Sequence, residues 1–246
     1  MRWPCTIAEA AFHAQGPDHH GSEAARAVRD IQAVLFDMDG TLCDTEPAWM
    51  ASERDLARRH GAQWTQQDAL HLVGFDLLDA GAYVKRRMGL DQSPAEIVDE
   101  LSAGVIHRVG RRGVDWRPGA LDLVVACNAA GLPTALVTMS YRSFAVAIVE
   151  AMPRGQFDAI VTGDEVAAGK PAPEPYLAAA AALRVDAASC VAIEDSPTGA
   201  ASAAAAGCLV VVVPNHVTVA LGDTMVEMPS LAGVTVGDLR ALIASR

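Results

Sequence analysis

Five short apolar runs constrain what this chain can fold into: Ala33 to Phe36, Thr134 to Val137, Ala159 to Val161, Val191 to Ile193 and Leu209 to Val213. Each fits a strand buried on both faces rather than a helix, which needs a longer amphipathic pattern. Helical patterns separate most of them. Gly131 and Gly207 stand just before two of the runs, where a helix is expected to end, and the Ala-rich stretches Leu177 to Leu183 and Ala200 to Ala206 are strong helix formers. Strand alternating with helix predicts the α/β class, a parallel sheet with helices on both faces. Aromatic residues make up only 5% of a chain that is 51% hydrophobic, which suits helices packed closely on a sheet.

The alternation breaks once. Between Thr41 and Pro118 no run reads as a strand, and amphipathic helical sequence continues through Trp49 to His60, Ala69 to Met88 and Ala95 to Arg108. Ser93-Pro94-Ala95-Glu96 predicts a capping box with proline in the first turn, and Arg117-Pro118-Gly119 marks the return to the sheet. An insert of roughly 70 residues is large enough for a small helical cap domain over the carboxyl edge of the sheet. The expected division is a core of residues 31–46 and 116–246, a cap of residues 47–115, and a poorly ordered extension of residues 1–30. His13, His19 and His20 in that extension read as solvated, since nothing around them supplies the hydrogen-bonded surroundings of a metal site.

A formal net charge of -11 argues against a nucleic-acid or anionic-membrane surface, which needs clustered Lys and Arg. It leaves room for a small anionic substrate, because one lysine and one divalent cation reverse the local sign inside a cleft. The five cysteines, Cys5, Cys43, Cys127, Cys190 and Cys208, are scattered and form no Cys-x-x-Cys pair, so they read as reduced thiols. No continuous apolar stretch marks a signal peptide, and the longest apolar run, Cys208 to Val213, is too short to span a bilayer. A cytoplasmic protein is expected.

The chemistry gathers at the ends of the runs. In open parallel sheets ligands bind outside the carboxyl ends of the strands. The first run ends in Phe36-Asp37-Met38-Asp39-Gly40-Thr41-Leu42, which sets two carboxylates there: Asp37 suits a nucleophile on phosphorus, and Asp39 a proton donor to the leaving oxygen. The second runs into Thr138-Met139-Ser140, a hydroxyl with fresh backbone amides of the kind phosphate oxygens prefer. Gly169-Lys170-Pro171-Ala172-Pro173-Glu174-Pro175 holds a lysine on proline-stiffened backbone, fit to clamp a phosphate. The fourth ends in Glu194-Asp195-Ser196. At about 4 Å and an effective dielectric near 20, each like-charged pair costs about 4 kcal/mol, and Mg²⁺ would relieve that repulsion. Singly these signals are weak: an Asp-x-Asp-Gly turn also occurs in calcium loops, and acids before a helix also serve as caps.

Together and in this order, they resemble the haloacid dehalogenase superfamily of hydrolases, over about Ile31 to Pro214. The resemblance implies a Rossmann-like core and a phosphomonoesterase working through an aspartyl-phosphate. Asp37 would be the nucleophile and Asp39 the general acid and base. Mg²⁺ would be held by the Asp37 carboxylate, the Asp39 carbonyl and Asp195, with Glu194 acting directly or through water. Thr138, Lys170 and backbone amides including that of Met139 would bind the phosphoryl group. Met139 departs from the pattern, since a small residue is common there.

The helical cap and Asp44-Thr45-Glu46-Pro47-Ala48-Trp49 look most like the sugar-phosphate phosphatases near β-phosphoglucomutase. The expected substrate is a small phosphorylated metabolite: a sugar, polyol or nucleoside monophosphate. A sugar phosphomutase is the alternative: Trp49 stands where the mutases this resembles carry a histidine in the cap linker, which disfavours it, whereas a Trp49 that simply packs the first cap helix against the core leaves the question open. A dehalogenase needs no acid at Asp39, and a non-catalytic binding protein would be expected to have lost one of Asp37, Asp39, Lys170 or Asp195. Gly74-Phe75-Asp76 and Lys85-Arg86-Arg87 are candidate cap lining, the basic triplet reading more readily as a solvated helix face.

Overall fold

A computed structural model of the chain describes residues 30–72, 75–152 and 156–245. The N-terminal histidines and Gly74 lie outside the described residues. The apolar runs form strands β1 (Ala33–Phe36), β2 (Thr134–Val137), β3 (Ala159–Val161), β4 (Cys190–Glu194) and β5 (Leu209–Val212). An edge strand that the sequence did not announce, β6 (Met225–Glu227), completes a sheet in the order β3-β2-β1-β4-β5-β6, parallel throughout.

Strand alternation gives the two faces of this sheet different textures. One face presents Val34, Phe36, Leu136, Val191, Ile193 and Val211 to helices α5 (Ala120–Ala129), α6 (Arg142–Glu150) and α9 (Val236–Ala244), through large side chains such as Leu123, Phe144 and Leu239. The other presents Ala33, Leu35, Ala135 and Ala192 to α7 (Glu174–Leu183) and α8 (Pro197–Ala205), whose contacts are largely alanine: Ala179, Ala180, Ala200 and Ala203. Small side chains on both partners let those two helices lie close on the sheet.

The segment between β1 and β2 is helical, as expected: α1 (Glu46–Arg59), α2 (Gln66–Leu72), α3 (Leu77–Met88) and α4 (Pro94–Arg112). It has an apolar cluster of its own, in which Leu56, Val84, Leu90, Ile97 and Leu101 meet. The Ser93 capping box forms with both hydrogen bonds in place. The single helical stretch read through Ala69 to Met88 is instead two helices. Asp76 ends the continuity, because its side chain accepts from the amides of Leu78 and Asp79 and so starts α3 afresh.

Two members of the basic triplet do structural work, while Arg86 is exposed. Lys85 Nζ donates to the carbonyls of Asp91 and Gln92, and Arg87 pairs with Asp68 at 2.7 Å. The described cysteines, Cys43, Cys127, Cys190 and Cys208, are all buried. Among the described residues no helix is long and apolar enough to cross a membrane.

Candidate active site

β1 is central, flanked by β2 and β4, so the turns leaving these three strands meet at one edge, where the order of strands reverses. The Asp37 amide still donates to Ile193 O, continuing the ladder, and the chain then turns sharply through Gly40 at φ 88°. A Cβ on Gly40 would lie 2.0 Å from Asp195 Oδ2, so this position admits no side chain. The turn thereby brings Asp37, Glu194 and Asp195 together: one oxygen from each lies within 4.8 Å of the others.

Lys170 is the cation among them. Its Nζ donates to Asp37 Oδ1 at 2.6 Å, to Glu194 Oε1 at 2.6 Å and to Val137 O at 3.0 Å, using all three of its donors. Its side chain is only 5% exposed and its ammonium lies 5.2 Å from the centre of the Tyr176 ring, whose hydroxyl donates to Glu194 Oε1 at 2.8 Å. Glu194 Oε2 accepts from the amides of Asp195 and Ser196 and from Ser196 Oγ. Gly199 on α8 leaves space for this carboxylate, since a Cβ there would come within 1.7 Å of Oε1.

Three acids around one lysine leave unbalanced negative charge. Burial, and then the charge of Glu194, pushes the Asp37 carboxyl up to about 7 against the pull of Lys170. Burial and then Asp37 push Asp195 up to about 9. Burial works against the Lys170 charge, yet Asp37 and Glu194 overcome it and hold its ammonium above the ordinary range. Two carboxyls that keep protons into the neutral range, in an all-oxygen cluster, fit the demands of a hard divalent cation.

Asp39 points into the same space and accepts three hydroxyl donors from two segments. Thr45 Oγ1 donates to Oδ1 at 2.5 Å, while Ser140 Oγ at 2.8 Å and Thr138 Oγ1 at 3.2 Å donate to Oδ2. Thr45 is the first residue outside α1, and it gives no side-chain cap to that helix because its hydroxyl is turned to Asp39. Thr138 thus sits at the site, and Met139 beside it lines the cavity. The bulk of Met139 is absorbed sideways: its Sδ accepts from the Lys170 amide at 3.2 Å, next to Gly169, where a Cβ would come within 2.8 Å of the sulfur.

Above this floor lies a cavity of about 410 Å³, within the ~300–1,000 Å³ usual for small-molecule sites. Its far wall comes from the helical insert and includes Trp49, Leu72, Phe75, Leu77, Glu46 and Glu53. Trp49 also stacks edge-on against Phe144 of α6, with ring centres 5.8 Å apart. Burial pushes the carboxyls of Glu46 and Glu53 up to about 7, in Glu53 against the hydrogen bond from Trp64.

All the residues singled out from sequence, Asp37, Asp39, Thr138, Met139, Lys170, Glu194 and Asp195, therefore converge at this edge. Sequence reasoning missed Thr45, Ser140, Tyr176, Glu46 and Glu53. Ser140 was within reach as the second hydroxyl of its turn, whereas Tyr176 lies inside a helix and carried no signal at all.

Residues 31–207 match the model of the haloacid dehalogenase-like hydrolase family. Protein CbbY of Rhodobacter capsulatus is 33% identical over 202 residues, covering 77% of this chain and 88% of that protein. Hexitol phosphatase B of Escherichia coli K12 is 31% identical over 219 residues, covering 86% and 97%. Among solved structures, a CbbY mutant from Rhodobacter sphaeroides in complex with xylulose-(1,5)bisphosphate is similar with a TM-score of 0.74 and 28% identity, over 82% of this chain and 96% of that one. β-Phosphoglucomutase from Clostridium difficile shares the fold, with a TM-score of 0.72 at 19% identity over 87% and 98%. With the family model spanning most of the sequence and the strand-end carboxylates gathered on a parallel sheet, the chain belongs to the haloacid dehalogenase-like hydrolases.

Proposed function

We propose that this hydrolase is a magnesium-dependent phosphatase acting on a small phosphorylated sugar or polyol through a phosphoryl group carried on Asp37. The observation that carries the reading is the Asp37 carboxylate, held by Lys170 at 2.6 Å beside Glu194 and Asp195, with Asp39 facing the same cavity. The hexitol phosphatase relative and the CbbY structure in complex with xylulose-(1,5)bisphosphate support a sugar-phosphate substrate.

An Asp37 oxygen attacks phosphorus as the bond to the leaving oxygen breaks, and Asp39 gives that oxygen a proton. Asp39 then takes a proton from water as the water oxygen attacks phosphorus, releasing inorganic phosphate and restoring Asp37. Lys170 and the hydroxyl of Thr138, with the Met139 amide, hold the transferring group. Asp37, Asp195 and the Asp39 carbonyl would hold Mg²⁺. Glu194, whose oxygens already accept five hydrogen bonds, would act on it through water. When bound, the cation supplies positive charge that lets a phosphate dianion approach a carboxylate. Residues 47–115 serve as a cap that shields the reaction, over a core of residues 31–46 and 116–246.

The test is phosphate release from a panel of sugar, polyol and nucleoside monophosphates. Activity is expected to vanish with EDTA and return with Mg²⁺, and to be poor with Ca²⁺, whose larger coordination shell engages both oxygens of Asp37. Full activity after exhaustive chelation would refute the metal assignment.

A further inference from the structure

The cavity is poorly provided with positive charge for a substrate that carries two anionic groups. Among the described lining residues, Lys170 and His216 are the only side chains able to be cationic, against Asp37, Asp39, Glu46, Glu53, Asp76 and Asp195. Lys170 is committed to the floor, with every donor engaged. His216 is half-exposed and turned toward Asp44, 3.5 Å from its carboxylate. Asp76 is occupied as the cap of α3.

The wall opposite the floor has a definite pattern. Glu46, Trp49 and Glu53 stand at i, i+3 and i+7 on α1, one stripe along a single helix face, and all three line the cavity. Leu72, Phe75 and Leu101 add apolar surface from the neighbouring elements. Glu53 is buried and accepts one hydrogen bond, from Trp64 Nε1 to Oε2 at 3.0 Å. The Glu46 carboxylate has no hydrogen-bond donor among the described residues. A wall of aromatic and aliphatic faces with carboxylate acceptors is complementary to a group that offers hydroxyl donors and carbon faces. Where both carboxyls are ionised, above the value of about 7 to which burial pushes them, it is hostile to a second phosphate or a carboxylate, which would face Glu46 or Glu53 in a confined space of low dielectric.

We infer that the Glu46-Trp49-Glu53 stripe is a leaving-group subsite that accepts an uncharged, hydroxyl-bearing group and rejects substrates with a second anionic group. This rests on the phosphatase reading above and narrows its substrate class to singly phosphorylated, otherwise neutral polyols and sugars, setting the chain apart from the CbbY neighbour that holds a bisphosphate.

The experiment compares matched pairs that differ in one anionic group: glucitol 6-phosphate with 6-phosphogluconate, and fructose 6-phosphate with fructose 1,6-bisphosphate. Phosphate release is measured with Mg²⁺ above about pH 8, where Glu46 and Glu53 are ionised, and para-nitrophenyl phosphate reports on the phosphatase chemistry alone. In each pair kcat/KM is expected to favour the singly anionic member by roughly 10-fold or more. In Glu46→Gln and Glu53→Gln that preference is expected to shrink, a ratio that does not depend on how much of the variant is folded. Hydrolysis of para-nitrophenyl phosphate with equal use of both members of each pair would overturn the subsite and leave the phosphatase reading standing. A preference unchanged in both variants would overturn the assignment to α1. No phosphate from any compound would overturn the phosphatase reading and this inference with it.

Discussion

Replacing Lys170 by methionine removes the charge at the centre of the site while keeping an unbranched side chain to pack on Tyr176. In the parent the ammonium lies 2.6 Å from both Asp37 and Glu194, with Asp195 in the same cluster. At separations of at most 4.8 Å and an effective dielectric near 20, each pair of ionised carboxylates repels by at least about 3 kcal/mol. Removing one member of a buried ion pair typically costs ~3–5 kcal/mol. In a chain of this length that corresponds to a fall in Tm of about 10 °C.

The loss should depend on pH in a definite direction. Asp37 and Asp195, pushed up to about 7 and about 9 from an ordinary value of 3.8, hold protons in the folded state where the unfolded chain has lost them. The folded state therefore binds more protons, and stability falls as pH rises from about 4 toward 9. Without Lys170 to draw these values down, the fall is steeper. Thermal unfolding of parent and variant in EDTA should thus show a small gap at pH 5 and a gap of about 10 °C at pH 8. A gap below about 2 °C at pH 8, or one larger at pH 5 than at pH 8, would refute this account of the cluster.

Asp37→Asn should abolish turnover with the fold intact, and Asp39→Asn should slow it by ~10²–10⁴-fold, most for sugar alkoxide leaving groups; near-normal turnover of Asp37→Asn in steady-state phosphate release would exclude a covalent intermediate there. Gly199→Ala, normally a stabilising change in a helix, should instead cost at least about 1–3 kcal/mol by denaturant unfolding, because the new Cβ collides with Glu194 Oε1; a variant as stable as the parent contradicts the close packing. Trp49 offers an apolar face and a single N–H and cannot shuttle a proton, so β-glucose 1-phosphate with a bisphosphate primer should yield inorganic phosphate faster than glucose 6-phosphate. The reverse ratio in coupled assays would make the chain a mutase.

The parallel sheet was legible because its strands are continuous apolar runs, buried on both faces and interrupted by helix. The floor of the site was legible because each of its charged residues follows such a run within three positions or sits on stiffened backbone. β6 escaped notice because Met225-Val226-Glu227 is short and only partly buried, so no apolar run marks it. The break before α3 was hidden by apolar residues on both sides, and one capping aspartate decided it. Thr45 and Tyr176 lay beyond reading for a different reason. Their hydroxyls matter only through partners brought close by tertiary packing, and nothing local separates them from any other hydroxyl. Glu46 and Glu53 share a helical face that the sequence shows, but which face meets the cavity is set by how α1 packs.

Asp39 accepts its hydroxyl donors from residues 6, 99 and 101 positions away in sequence. Its orientation is therefore a property of docking rather than of the turn that carries it. One donor belongs to the entrance of α1 and two to the end of β2, so a shift of α1 against the sheet changes what the carboxyl faces even if no strand moves. Rates of proton transfer become a gauge of that seating. Substitutions far from the cavity that loosen α1 should first appear as poor turnover of substrates with basic leaving groups, in a protein that still melts normally.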